Sequence, residues 1–64
     1  MTLEKGAKFR QNGLLGTFYV ISVYIDSYEL MFQYPYGDFF VKFESFEDVS
    51  TKFRIGEYNN FQPF

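Results

Sequence analysis

A mainly β fold, either a small barrel or a strongly twisted antiparallel meander with one short helix, is predicted by three features of the sequence. Leu14 to Ile25 is an uninterrupted run rich in β-branched and aromatic residues, which favour a pleated surface. Two turn signals, Asp26-Ser27 and Tyr34-Pro35-Tyr36-Gly37-Asp38, divide the stretch from Leu14 to Phe43 into three strands joined by tight reversals. After Phe43 the apolar period changes to that of a helix, with Phe46, Val49 and Phe53 along one stripe.

Register assigns the faces of the three strands. A two-residue loop at Asp26-Ser27 sets Ile25 opposite Tyr28, Val23 opposite Leu30, Ile21 opposite Phe32 and Tyr19 opposite Tyr34, all on one face. Tyr24, Ser22 and Val20 then oppose Glu29, Met31 and Gln33 on the other, more polar face. At the second reversal, pairing Tyr34 with Phe39 places Val41 opposite Phe32 and Phe43 opposite Leu30, extending the apolar face. A slip of one residue, pairing Tyr34 with Asp38, would turn Asp38 and Lys42 into the core and expose Phe39, Val41 and Phe43; it is rejected on that ground. The expected centre is Ile21, Val23, Leu30, Phe32, Val41 and Phe43.

The flanking segments complete the expected sheet. Ala7 to Arg10 reads as a short first strand with Ala7 and Phe9 inward, followed by a turn at Gln11-Asn12-Gly13. Gly16 suits a bend or bulge that would curl the sheet towards closure. Ser45 is placed to cap a helix running from Phe46 to Lys52 or Phe53, with Glu47 and Asp48 at its start and Lys52 and Arg54 at its end. Arg54-Ile55 reads as the start of a last short strand, interrupted by Gly56. Residues 57–64 form a tail, flexible or docked through Tyr58, Phe61 and Phe64. Alternation and turns together give a general likeness to SH3-like small barrels, without a family motif.

Sixty-four residues make one domain, 1–64. Ten Phe and six Tyr supply buried area that a small core without disulfide staples requires. The chain has no Cys and no His, which removes disulfides, thiolate nucleophiles and the usual neutral-pH acid-base group. The acidic residues suit turns and helix starts, so no enzyme activity, no cofactor and no metal are expected. A net charge of −2 says little about partners. No charged leader with an apolar segment and cleavage pattern is evident, and Leu14 to Ile25 is too short for a membrane helix; a soluble cytoplasmic protein is expected.

The second sheet face then carries the functional expectation. Phe18, Val20, Met31 and Phe40, with Tyr24 and Lys42 at the rim, are more apolar than an ordinary solvated face requires. They are expected to bind a protein partner or a second copy of the chain, as in a small regulatory inhibitor or adaptor from a mobile genetic element. The alternative is a small barrel that binds single-stranded nucleic acid, with Lys5, Lys8 and Arg10 along the backbone and Tyr36 as a stacking surface.

Overall fold

Five antiparallel strands form one open sheet in the computed structural model, which describes residues 2–60. In chain order they are β1 (Lys8–Gln11), β2 (Thr17–Val23), β3 (Ser27–Gln33), β4 (Phe39–Ser45) and β5 (Tyr58–Asn60), with helix α1 (Phe46–Arg54) between the last two. The spatial order is β4-β3-β2-β1-β5. The chain thus meanders outward to β4, crosses through α1 and returns to the opposite edge beside β1. The mainly β class and the short helix are as the sequence implies, but the sheet does not close into a barrel.

The first hairpin differs from the expected register. Tyr24 N–H donates to the Ser27 carbonyl at 2.8 Å, so the chain reverses at Ile25-Asp26 and leaves Ile25 at the tip, 96% exposed. Ile21 is then an extra residue in a bulge between Val20 and Ser22, after which Val20 faces Leu30 and Phe18 faces Phe32. Gly16 lies at a bend just before β2, as expected, and the bulge is a second irregularity five residues further on, at Ile21. Together, the displaced turn and the bulge replace Ile21 by Phe18 as the partner of Phe32, a larger side chain with more area to bury. The Phe18 ring stacks on Phe9 at 5.0 Å and meets Phe32 edge-on at 4.7 Å.

The second hairpin takes the one-residue slip that the apolar pattern argues against. Tyr34 N–H donates to the Asp38 carbonyl at 2.9 Å, and Gly37 N–H donates to the Tyr34 carbonyl at 3.2 Å. This is a three-residue loop, Pro35 to Gly37, with Gly37 at φ +101°, a conformation that costs glycine least. Phe32 consequently faces Phe40, Leu30 faces Lys42 and Tyr28 faces Glu44.

The core is Phe9, Phe18, Val20, Tyr28, Leu30, Phe32, Val49 and Tyr58, all buried. Of the expected centre, Leu30 and Phe32 are inside. Val41 and Phe43 are exposed because the β4 register turns them to the outer face, Ile21 is half-buried at the bulge, and Val23, although opposite the buried Tyr28, is exposed at the end of β2.

Helix α1 follows the sequence closely. Asp48 N–H donates to the Ser45 hydroxyl at 3.0 Å, satisfying one of the free amides at the helix start. Glu47 and Asp48 lie in its first turn and Lys52 and Arg54 in its last, as the helix dipole favours. Val49 is buried, with Phe46 and Phe53 packed against the core. At the far end Gly56 N–H donates to the Phe53 carbonyl and Glu57 N–H to that of Lys52, a Schellman closure. Gly56 thus ends the helix instead of interrupting a strand at Arg54-Ile55. The last strand lies further on, with Tyr58 opposite Gln11 and Asn60 opposite Phe9. Tyr58 is docked in the core; Phe61 and Phe64 lie outside the described residues.

Gly16 is held at φ +141°, and a Cβ there would come within 2.5 Å of the Gln33 carbonyl oxygen and 2.6 Å of the Phe32 ring. Gly16→Ala is therefore expected to cost more than about 1 kcal/mol in denaturant unfolding. Phe32→Ala is expected to cost about 3 to 5 kcal/mol by opening a cavity beneath the same contact. Unchanged midpoints in both variants would contradict the placement of Phe32.

Candidate protein-interaction surface

Pointing β4 this way puts two charged side chains on the inner face of the sheet, and their partners come from α1 and β5. The Tyr58 hydroxyl donates to Glu44 Oε1 at 2.5 Å, and Lys42 Nζ donates to the Tyr58 hydroxyl oxygen at 3.1 Å. Lys52 Nζ pairs with Glu44 Oε2, and Lys42 Nζ lies 3.6 Å from Glu44 Oε1. Both lysine nitrogens also sit over the Tyr58 ring, and Lys42 over that of Phe18 at 5.3 Å. The polar groups therefore join the two edge strands, β4 and β5, through side chains. No buried side-chain nitrogen or oxygen among the described residues lacks a partner.

Burial alone would raise the Glu44 carboxyl, but the hydrogen bonds from Lys52 and Tyr58 and the charges of Lys42 and Lys52 outweigh it, and its pKa falls below the ordinary value. The hydrogen bond to Glu44 raises Lys52 in turn, against the opposing effect of burial. Burial, then the bond to Glu44 and its negative charge, push the Tyr58 hydroxyl far up. All three groups are held in the protonation states that make the bonds, an arrangement that ties down structure and offers no group ready to exchange a proton at neutral pH.

With Lys42 and Glu44 inward, Phe39, Val41 and Phe43 project from the other face of β4, exposed by 57%, 45% and 65%. Across the sheet they line up with Gln33, Met31 and Glu29 of β3. Met31 is half-buried in a row that runs from Lys8 through Tyr19 and Met31 to Val41. Tyr24 borders this face, its ring 5.8 Å from Phe43 and its hydroxyl donating to Glu29 Oε1 at 3.2 Å. The result is an apolar patch on the strand at the sheet's edge.

The residues expected to bind a partner are divided between the two faces. Phe18 and Val20 are buried in the core, and Lys42 belongs to the inner polar group. Phe40 lies on the inner side at the sheet edge, against Phe32 at 5.4 Å and Phe18 at 6.3 Å. Tyr24 and Met31 do belong to the outer patch. Phe39, Val41 and Phe43, which β4 contributes to the patch, stand where the apolar pattern alone implies a core face; the three-residue loop with glycine at its last position is the sequence signal for the outer face.

The basic set is also only partly assembled. Lys8 and Arg10 flank the buried Phe9 and project outward from β1, with Lys8 Nζ 5.8 Å from the Tyr19 ring centre. Lys5 lies in the turn before β1. Tyr36 sits at the tip of the β3–β4 turn, stacked on Tyr34 at 5.3 Å, and Arg10 borders a shallow groove with Pro35 and Gly37 of that turn. Among the described residues no cluster of three or more His, Cys, Asp or Glu is arranged to hold a metal, and no helix is long and apolar enough to cross a membrane.

No protein-family model matches this chain, and neither a curated protein nor a solved structure is similar to it.

Glu44→Gln is expected to cost about 1 to 3 kcal/mol at neutral pH, since it weakens the acceptor for Lys52 and Tyr58 in a site that is 9% exposed. Because the folded pKa of Glu44 is lowered, its contribution is complete above the ordinary carboxylate value and is lost as pH falls through the lowered one. The stability gap between wild type and variant, followed by thermal unfolding against pH, should therefore narrow on acidification. A gap independent of pH would remove the ionised Glu44 from the account.

Proposed function

We propose that this chain is a small non-catalytic protein-interaction module, of the regulatory inhibitor or adaptor kind, that binds through the outer face of β3 and β4. The observation that carries the reading is the exposure of Phe39, Val41 and Phe43 side by side on an edge strand. Three large apolar side chains in one row form a contiguous patch of the sort that marks interaction sites, whereas single exposed apolar residues are ordinary. The aromatic share of the patch also matches the centres of protein interfaces, where Phe, Tyr and Met are enriched and charge is depleted. An SH3-like half-barrel in the cytoplasm is part of this reading, supported by the return of β5 to β1, the side-chain link between the edge strands and a chain free of cysteine.

A weaker second reading, binding of single-stranded nucleic acid, is favoured by the pair Lys8 and Arg10 beside Tyr19 on the same outward face. Charge reversal at Lys5, Lys8 and Arg10 would then weaken binding to a mixed single-stranded pool, and added salt would diminish the difference.

The main reading is tested with Met31→Glu, which places a charge in the middle of the patch without touching the core. Affinity for a partner is expected to fall at least about tenfold, as for desolvation of a charge at a contact, with the circular dichroism spectrum retained. Complexes recovered at wild-type affinity with Met31→Glu would refute the surface, and loss of single-stranded nucleic-acid binding on reversing the basic residues would favour the second reading.

A further inference from the structure

We propose that the partner seated on this edge is a second copy of the chain, with β4 pairing antiparallel to β4 of its twin about a two-fold axis at Val41. The proposal rests on the reading of β3 and β4 as an interface and adds the occupant and the register.

Backbone phase supplies the first argument. Tyr34 N–H donates to the Asp38 carbonyl, and Phe46 N–H donates to the Asp26 carbonyl. In an antiparallel ladder such bonded pairs recur at every second residue, so Phe40, Lys42 and Glu44 spend their backbone groups on β3. Phe39, Val41 and Phe43 therefore aim their amides and carbonyls away from β3, towards the open side. Among the described residues no strand pairs with that side. A seven-residue edge strand with apolar side chains is the sort of template that pairs with another chain unless something blunts it. β4 carries no proline, and both its charged side chains are engaged on the inner face.

Sequence symmetry supplies the second. Phe39-x-Val41-x-Phe43 is apolar at all three outward positions and symmetric about Val41, so a twin about an axis there is self-complementary, apolar against apolar at each of them. With the axis at Val41, Val41 faces Val41, Phe39 faces Phe43 of the twin, and every outward group of the three meets an apolar neighbour through a bonded pair.

Charge selects among the neighbouring axes. An axis at Lys42 would set the two Lys42 residues directly opposite each other and Phe40 opposite Glu44, an unfavourable like-charge pair. An axis at Phe40 would pair Phe43 with Gly37 of the turn and leave the most exposed ring of β4 without an apolar neighbour. The Val41 axis places Lys42 opposite Phe40 of the twin and joins the two patches into one continuous apolar strip.

The chain has no cysteine, so single-cysteine variants report the axis directly. A bonded antiparallel pair spaces its Cα atoms by about 5.5 Å, within the range a disulfide spans. Val41→Cys is expected to oxidise to a covalent dimer, and Phe39→Cys and Phe43→Cys to cross-link efficiently only when mixed. Ile55→Cys, exposed at the end of α1, measures random collision. Sedimentation of the full wild-type chain should show a concentration-dependent dimer. Val41→Pro removes an amide that β3 does not use and should give a monomer with the wild-type circular dichroism spectrum; Val41→Lys, which sets like charges on the axis, should do the same. A wild-type chain that stays monomeric, or cross-linking strongest at Phe40→Cys or Lys42→Cys, overturns the proposal. If the chain is monomeric while Met31→Glu still weakens a different complex, self-pairing falls and the outer-face interface stands; if the cross-links form as expected while Met31→Glu weakens no complex with another protein, self-pairing stands, since Met31 lies on β3 away from the paired edge, and the outer-face reading falls.

Discussion

A loop of three residues decides which side of the sheet each residue of β4 occupies. Gly37 adopts a conformation that most residues avoid, and this lets Tyr34 and Asp38 close the hairpin as a bonded pair. Side chains alternate with a period of two, so one residue more in the loop would interchange the faces of β4 throughout its length. Local backbone chemistry at Pro35 to Gly37 therefore prevails over the attraction of burying Phe39, Val41 and Phe43.

That choice is tolerable only because the polar residues it turns inward are satisfied. Glu44 accepts from both Tyr58 and Lys52, and Lys42 reaches the same hydroxyl over the Phe18 ring. An unpartnered carboxylate there would carry the cost of desolvation with nothing to offset it. Instead the group ties β4 to α1 and β5, doing with side chains what a backbone ladder would do in a closed barrel. The apolar core correspondingly takes none of its fully buried residues from β4 and draws on β1, β2, β3, α1 and β5, with Phe9, Phe18 and Tyr58 packed ring against ring. Fold and surface are thus two results of one register: the inner face gains a hydrogen-bonded group, and the outer face gains three exposed apolar side chains.

What the sequence discloses depends on how local the determinant is. The helix was legible in detail, since Ser45, Glu47, Asp48 and the stripe Phe46, Val49 and Phe53 all act within a few residues of each other. The first strand with Phe9 inward, and Leu30 and Phe32 in the core, followed from alternation. The faces of β2 and β4 did not, because each turns on a single residue: a bulge at Ile21 in one case and a loop of three in place of four in the other. The inner polar group was beyond reach, since Glu44 and Tyr58 are joined only after α1 has reversed the chain. For the same reason only Tyr24 and Met31 of the expected surface fall on the outer patch. At Phe39, Val41 and Phe43 the preference for burial and the geometry of the turn conflict, and the turn prevails.

The register of β4 against β3 is measured most directly by interstrand contacts between α protons, which are close in non-bonded antiparallel pairs, where Cα atoms approach to about 4.5 Å. The account predicts strong contacts between Met31 and Val41 and between Glu29 and Phe43. Strong contacts that instead pair Val41 with Phe32 and Phe43 with Leu30 would place the three apolar residues in the core and contradict it.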